Sequence, residues 1–152
     1  MAQSERVVSR GFKVGVWRAY MEVNHEVLTA IERALADRHR LSISEFDVLV
    51  NIPLAGTRLK DLKERVVLTQ SALSRLFDRL AQRGLLARSP LEEDQRGAMI
   101  TLTEEGRKLL RAAVRTNAEV VERTFAGKLT DDELRTLDAL VARLKAPEVS
   151  EG

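Results

Sequence analysis

The segment from Gln70 to Arg83 holds the side chains whose types and spacing offer the most chemistry. Its apolar residues recur at intervals of three and four, which is the pattern of a helix with one buried stripe. Hydroxyl, amide and guanidinium groups occupy the remaining faces. Such groups can hydrogen-bond to phosphates and base edges, and one arginine can donate hydrogen bonds to both the O6 and the N7 atom of a guanine. The buried stripe is Leu73, Leu76, Phe77 and Leu80, and the polar candidates are Gln70, Ser71, Ser74, Arg75 and Arg79.

An ordinary solvated helix face is the alternative interpretation of these polar residues. Asp78 favours this alternative, because it shares the exposed face and a carboxylate near phosphates costs energy. A nucleic-acid reader tolerates Asp78 only if the C-terminal half of the helix tilts out of the groove. This segment alone leaves both interpretations open.

A second group of candidates follows between Arg88 and Gly97. Asp94 and Arg96 are close enough in a tight turn for the carboxylate to orient the guanidinium. An arginine fixed on a protruding loop can enter a minor groove, where a narrow A·T-rich stretch concentrates negative potential. The alternative is a surface ion pair, which contributes less than about 1 kcal/mol.

Start and stop signals predict the elements that position these residues. A first helix runs from about Val7 to Asp37, and capping boxes at Ser42/Glu45 and Thr130/Glu133 start two further helices. Thr69 caps the helix that ends at Gly84. The remaining predicted elements are a short helix at 60–66, strands at 85–88 and 98–102, and a helix from Thr103 to about Phe125.

The amino-acid composition narrows the classes of protein to which the chain can belong. The 152 residues include 25 Lys and Arg against 23 Asp and Glu, so a basic surface must come from the positions of the charges. The absence of cysteine excludes disulfides, thiolate zinc sites and thiol redox sensing. The two histidines lack a catalytic partner motif, so we expect no enzyme, no cofactor and no metal site. No apolar run is long enough for a membrane helix, and we expect a cytoplasmic protein.

Several short motifs, in order over residues 41–106, resemble those of the MarR family of transcription regulators. They fall at the entry of one helix, along the polar helix described above, at its exit into a strand, and around the loop and the helix after it. The motifs are Leu41–Leu49 (LSISEFDVL), Leu68–Leu76 (LTQSALSRL), Asp78-Arg-Leu80, Arg83-Gly-Leu85 with Arg88, Asp94-Gln-Arg96, Thr101-Leu-Thr103, and Gly106.

The resemblance implies a mainly α fold with a small β-hairpin wing, a winged helix-turn-helix with N- and C-terminal dimerisation helices. It implies one domain over residues 1–152, with dimerisation helices at about 7–38 and 104–146 and a DNA-binding lobe at about 41–103. The expected activity is sequence-specific binding of a homodimer to a pseudo-palindromic operator in double-stranded DNA. The expected DNA-binding residues are Gln70, Ser71, Ser74, Arg75, Arg79, Arg88, Asp94 and Arg96.

Many members of the family also respond to phenolic or aromatic-acid ligands, which implies a repressor released by a small molecule. Trp17, Tyr20, His25 and Asp47 are the candidate ligand-binding residues. The alternatives are that Trp17 belongs to the core stripe of its helix, that His25 is a surface or capping histidine and that Asp47 favours a helix N-terminus. The alternative function is a dimeric winged-helix module that binds protein and not DNA.

Overall fold

The computed structural model describes residues 7–90 and 98–147 as helices joined by short loops, with one small antiparallel sheet. The predicted fold class is therefore confirmed. The helices are α1 (Arg10–His39), α2 (Ile43–Val50), α3 (Leu59–Arg65), α4 (Gln70–Gln82), α5 (Glu104–Thr124) and α6 (Asp131–Lys145). The strands are β1 (Thr57–Arg58), β2 (Leu86–Pro90) and β3 (Ala98–Leu102), and a 3-10 turn lies at Ala126–Lys128.

The helix starts follow the predicted caps. The hydroxyls of Ser42 and Thr130 accept hydrogen bonds from the backbone N–H groups of Glu45 and Glu133, and both capping boxes are complete. The first helix begins at Arg10 and not at Val7, and it extends two residues past Asp37.

The sheet has a third strand that the sequence analysis did not predict. Its order is β1-β3-β2, with Thr57 opposite Ile100 and Leu86 opposite Leu102. A two-residue strand gives no alternating pattern, which explains why sequence periodicity missed β1. Pro90, expected in the loop, ends β2 opposite Ala98.

The described residues 31–90 and 98–118 form one compact unit, called unit 2 below. It contains the sheet, α2 to α4 and the adjoining parts of α1 and α5. The core of unit 2 is aliphatic and closely packed, because its largest side chains are fully buried. They are Leu35, Leu41, Val48, Leu49, Leu62, Leu73, Leu80 and Ile100.

Gly106 shows how tightly α5 begins within unit 2. A Cβ atom at this position would collide with the backbone carbonyl of Leu85. The same carbonyl accepts a hydrogen bond from the N–H of Thr103, and the Thr103 hydroxyl accepts one from the N–H of Gly106. A glycine in the first turn of α5 is therefore required by packing.

The described residues 7–30 and 119–147 form the second compact unit, unit 1. Val120 is the one buried side chain among them. The predicted apolar stripe of α1 is buried only from Ile31 onward, whereas Trp17 is 62% exposed. The interpretation of Trp17 as a core residue is thus wrong for the single chain.

Candidate nucleic-acid interface

Helix α4 presents the predicted polar face to solvent. The Thr69 hydroxyl accepts a hydrogen bond of 3.2 Å from the N–H of Ala72 and fixes the start of the helix. The stripe from Leu73 to Leu80 is buried in unit 2, which turns the opposite face outward. Gln70, Ser71, Arg75, Asp78 and Arg79 are exposed, and Ser74 is half-buried.

The N-terminal half of this face is rich in hydrogen-bonding groups. The Ser71 hydroxyl lies 3.4 Å from that of Thr69. Among the residues that the structure describes, Arg75 makes no ion pair or hydrogen bond, so its guanidinium is free to meet a ligand. The arrangement suits recognition of base edges, which is performed by N-terminal residues of a groove-binding helix.

Arg79 lies one turn after Arg75 and has a partner within the protein. Its Nε atom is 3.6 Å from the Oε1 atom of Glu45, which is buried at the start of α2. Arg79 thus remains mostly exposed while one side of its guanidinium faces a fixed carboxylate.

The side chain of Arg88, in the middle of β2, packs against Phe77 of α4. Its guanidinium carbon lies 4.8 Å from the centre of the Phe77 ring, a cation–π contact. The residue is exposed, so the contact orients Arg88 without removing its charge from solvent.

Arg83, which sequence reasoning did not name as a site residue, joins the ends of two helices. Its terminal nitrogens donate hydrogen bonds of 2.8 and 3.1 Å to the carbonyls of Arg40 and His39, at the C-terminus of α1. Arg40 has a positive φ of 54°, which leaves these carbonyls free to accept. The sequence shows a basic residue just before Gly84, at the end of α4, but nothing in the sequence indicates that it donates to the carbonyls of Arg40 and His39.

Asp94 and Arg96, the predicted minor-groove pair, lie outside the described residues.

Of the candidate ligand-binding residues, Trp17, Tyr20 and His25 lie in unit 1 and Asp47 lies in unit 2. Within unit 1, a mostly apolar groove of about 700 Å³ is lined by α1, the end of α5, the segment 125–129 and Leu137 of α6. Its lining includes Tyr20, Asn24, Phe125 and Lys128. The Trp17 and Tyr20 rings lie 6.0 Å apart between centroids, but Trp17, His25 and Asp47 do not line this groove. Asp47 is exposed on α2, where it contacts the side-chain amide of Asn51.

The structure offers no sign of metal chemistry in the part of the chain that it describes. No group of three or more His, Asp or Glu side chains could hold an ion among residues 7–90 and 98–147. No helix in these ranges is long and apolar enough to cross a membrane.

A helix with a polar outer face that is preceded by a short helix and followed by two paired strands is the arrangement of a winged helix-turn-helix. Comparison with known proteins identifies its kind. Residues 41–97 match the sequence profile of the MarR family. The HTH-type transcriptional regulator PecS of Dickeya dadantii is 33% identical over 122 residues, which cover 76% of this chain and 73% of PecS.

Solved structures agree in fold. Sco3205, a MarR family regulator from Streptomyces coelicolor crystallised with DNA, superposes with a TM-score of 0.78 at 23% identity, covering 98% of this chain and 97% of that one. Bordetella bronchiseptica BpsR, whose DNA binding is regulated by 6-hydroxynicotinic acid, gives a TM-score of 0.71 at 23% identity, covering 87% and 99%. The chain belongs to the MarR family of DNA-binding transcription regulators, which are not enzymes.

Proposed function

We propose that the protein binds double-stranded DNA sequence-specifically, with α4 in the major groove. The observation that carries this proposal is the face of α4 opposite its buried leucines. There Gln70, Ser71 and Arg75 are exposed near the helix N-terminus, and Arg75 has no partner within the described residues. Arg75 is assigned to a base edge, while Arg79 and Arg88 are assigned to the sugar-phosphate backbone.

The functional form is a homodimer. Unit 1 leaves a row of large apolar side chains in solvent, which is unusual for a monomeric protein. A second copy would cover them, and its two-fold axis would place two α4 helices about one DNA turn apart, roughly 34–36 Å. The operator is then a pseudo-palindrome. The exposed large apolar residues of unit 1 that do not line its groove are Val7, Val8, Phe12, Val14, Trp17, Met21, Leu140 and Leu144.

The regulator acts as a repressor that a small aromatic or phenolic ligand releases from DNA. The groove of unit 1 supports this part, because its lining is mostly apolar and includes a few polar residues, among them Tyr20, Asn24, Glu26 and Lys128. A ligand releases DNA only if it prefers a spacing of the two α4 helices that does not fit the operator.

A mobility-shift titration with the DNA upstream of the protein's own gene tests the proposal. We expect a sharp complex that survives excess unrelated duplex. The absence of any complex at micromolar protein would contradict it and favour the alternative of a protein-binding module. Ligand binding is tested separately through Trp17, the single tryptophan of the chain, which lies beside Tyr20. A Tyr20→Ala variant should lose the fluorescence response to an aromatic acid and still bind DNA.

A further inference from the structure

Glu45 is a buried carboxylate whose two oxygens have different partners. Oε2 accepts a 2.8 Å hydrogen bond from the N–H of Ser42, which completes the capping box of α2. Oε1 lies 3.6 Å from the Nε atom of Arg79 on α4. The Glu45 side chain is only 11% exposed. The contact therefore joins a mostly buried carboxylate, held in place by the capping box, to a mostly exposed guanidinium.

The side chain of Arg79 is 62% exposed, so most of its guanidinium remains open to solvent beside this contact. Arg79 stands in the second half of α4. The first half of a recognition helix meets base edges, so a cation further along lies beside the sugar-phosphate backbone.

An unrestrained arginine loses rotamer freedom when it binds a phosphate, and this loss opposes binding. A fixed carboxylate at Nε restricts the rotamers before DNA arrives and aims the two terminal nitrogens outward. We propose that Glu45 is a positioning residue for DNA binding, which acts by orienting Arg79 toward a backbone phosphate. This inference rests on the proposed function.

A positioning role for Glu45 and simple Coulomb repulsion predict opposite changes in DNA affinity when Glu45 is replaced. Glu45 is a negative charge near the DNA-binding face, so Coulomb repulsion alone says that its removal strengthens DNA binding. If Glu45 positions Arg79, its removal weakens binding in spite of the lost repulsion. The sign of one substitution therefore separates the two explanations.

The experiment measures affinity by fluorescence anisotropy, for an operator duplex and an unrelated duplex, over a range of salt. Glu45→Gln keeps an oxygen that can accept the Ser42 N–H and removes the charge. We expect it to weaken binding about three- to tenfold on both duplexes, because a phosphate contact carries no sequence information. The matched control is Asp78→Asn, which removes an exposed charge beside Arg79 and should leave binding unchanged or tighter.

A double-mutant cycle shows whether Glu45 acts through Arg79. In an Arg79→Ala background, Glu45→Gln should cause no further weakening. Arg79→Lys keeps the positive charge but replaces the planar guanidinium with one ammonium nitrogen on a flexible stem, which cannot reproduce the fixed geometry between the carboxylate and a phosphate, and it should lose affinity as Glu45→Gln does. The Arg79→Lys measurement decides the question if Glu45→Gln fails to fold.

Tighter or unchanged binding by Glu45→Gln, or an equal loss in the Arg79→Ala background, would overturn the inference. So would full affinity of Arg79→Lys. These outcomes leave the proposed function intact, because the wild-type protein still binds the operator. Failure of the wild-type protein to bind any duplex would instead contradict the proposed function.

Discussion

In unit 2 the side chains of Leu35, Leu49 and Leu80 are fully buried, whereas in unit 1 Trp17 and Leu144 remain 62% and 85% exposed. Both units are rich in apolar residues, so composition does not explain the difference. Unit 2 wraps α2, α3 and α4 around one core and closes it with the sheet. Unit 1 contains parts of α1 and α5 together with α6, and many of its large apolar side chains are exposed among the described residues.

Buried apolar surface stabilises a protein by about 25 cal/mol per Å². Unit 2 gains this stabilisation within one chain, whereas unit 1 would gain most of it from the second copy of the proposed dimer. Residues of unit 1 should therefore govern assembly, and residues of unit 2 should govern stability and DNA reading.

The largest expected effect is loss of the dimer. In Leu137→Lys/Leu144→Lys, two charges enter the apolar surface of unit 1, so assembly should fail and folding should fail with it. Sedimentation velocity at micromolar protein and circular dichroism measure both. The control is Leu54→Lys/Val67→Lys, which alters exposed apolar residues of unit 2 and should sediment as the wild type does. A wild-type protein that is a stable monomer would contradict the dimer proposal.

An intermediate effect should distinguish two helix glycines. Gly106→Ala in unit 2 should lower the free energy of unfolding by about 1–3 kcal/mol, because the new Cβ meets the Leu85 carbonyl. The Cβ atom added by Gly15→Ala in α1 has no other atom within 4 Å. This substitution should raise the free energy of unfolding by about 0.5–1 kcal/mol, since alanine favours a helix more than glycine does. Urea denaturation checks both. Equal effects of the two substitutions would contradict the comparison.

The smallest effect concerns the capping box of α6. Hydrogen bonds from the backbone N–H and the hydroxyl of Thr130 hold the pKa of the Glu133 carboxyl below its ordinary value of 4.5. Because the pKa of Glu133 is lower in the folded protein than in the unfolded chain, the ionised carboxylate stabilises the fold at pH values above the unfolded-state pKa. This stabilisation is lost as the pH falls through the folded-state pKa. An NMR titration should show the Thr130 amide shifting with Glu133 below pH 4.5. Glu133→Gln should abolish that step, and a Glu133 pKa above 4.5 would contradict the account.

The sequence predicted those features that local chemistry encodes. Caps at Ser42, Thr69 and Thr130 lie where hydroxyl groups precede apolar periodicity, and the buried stripe of α4 follows from its spacing. The strand β1 escaped prediction because only its pairing with β3 makes it a strand.

The candidate DNA-binding residues follow from their types and spacing, but the contacts that they make within the protein do not. Arg75 and Arg79 were both identified from the helix face, but nothing in their spacing told apart a free guanidinium and one held by Glu45. The Arg83 hydrogen bonds to the end of α1 join residues more than 40 positions apart, which sequence periodicity cannot reveal. The apolar periodicity of α1 identified a stripe but not whether the chain itself covers it.

Selection from a randomised DNA library, performed with the wild type, Arg75→Ala and Arg143→Ala, tests the reading of DNA by α4 most directly. Arg143 is exposed on α6 of unit 1 and serves as the matched control. The wild type and Arg143→Ala should select the same pseudo-palindrome. Arg75→Ala should lose roughly 1–3 kcal/mol on that site and lose the preference at one position in each half-site. An unchanged affinity and an unchanged selected sequence for Arg75→Ala would contradict the assignment of α4 as the recognition helix.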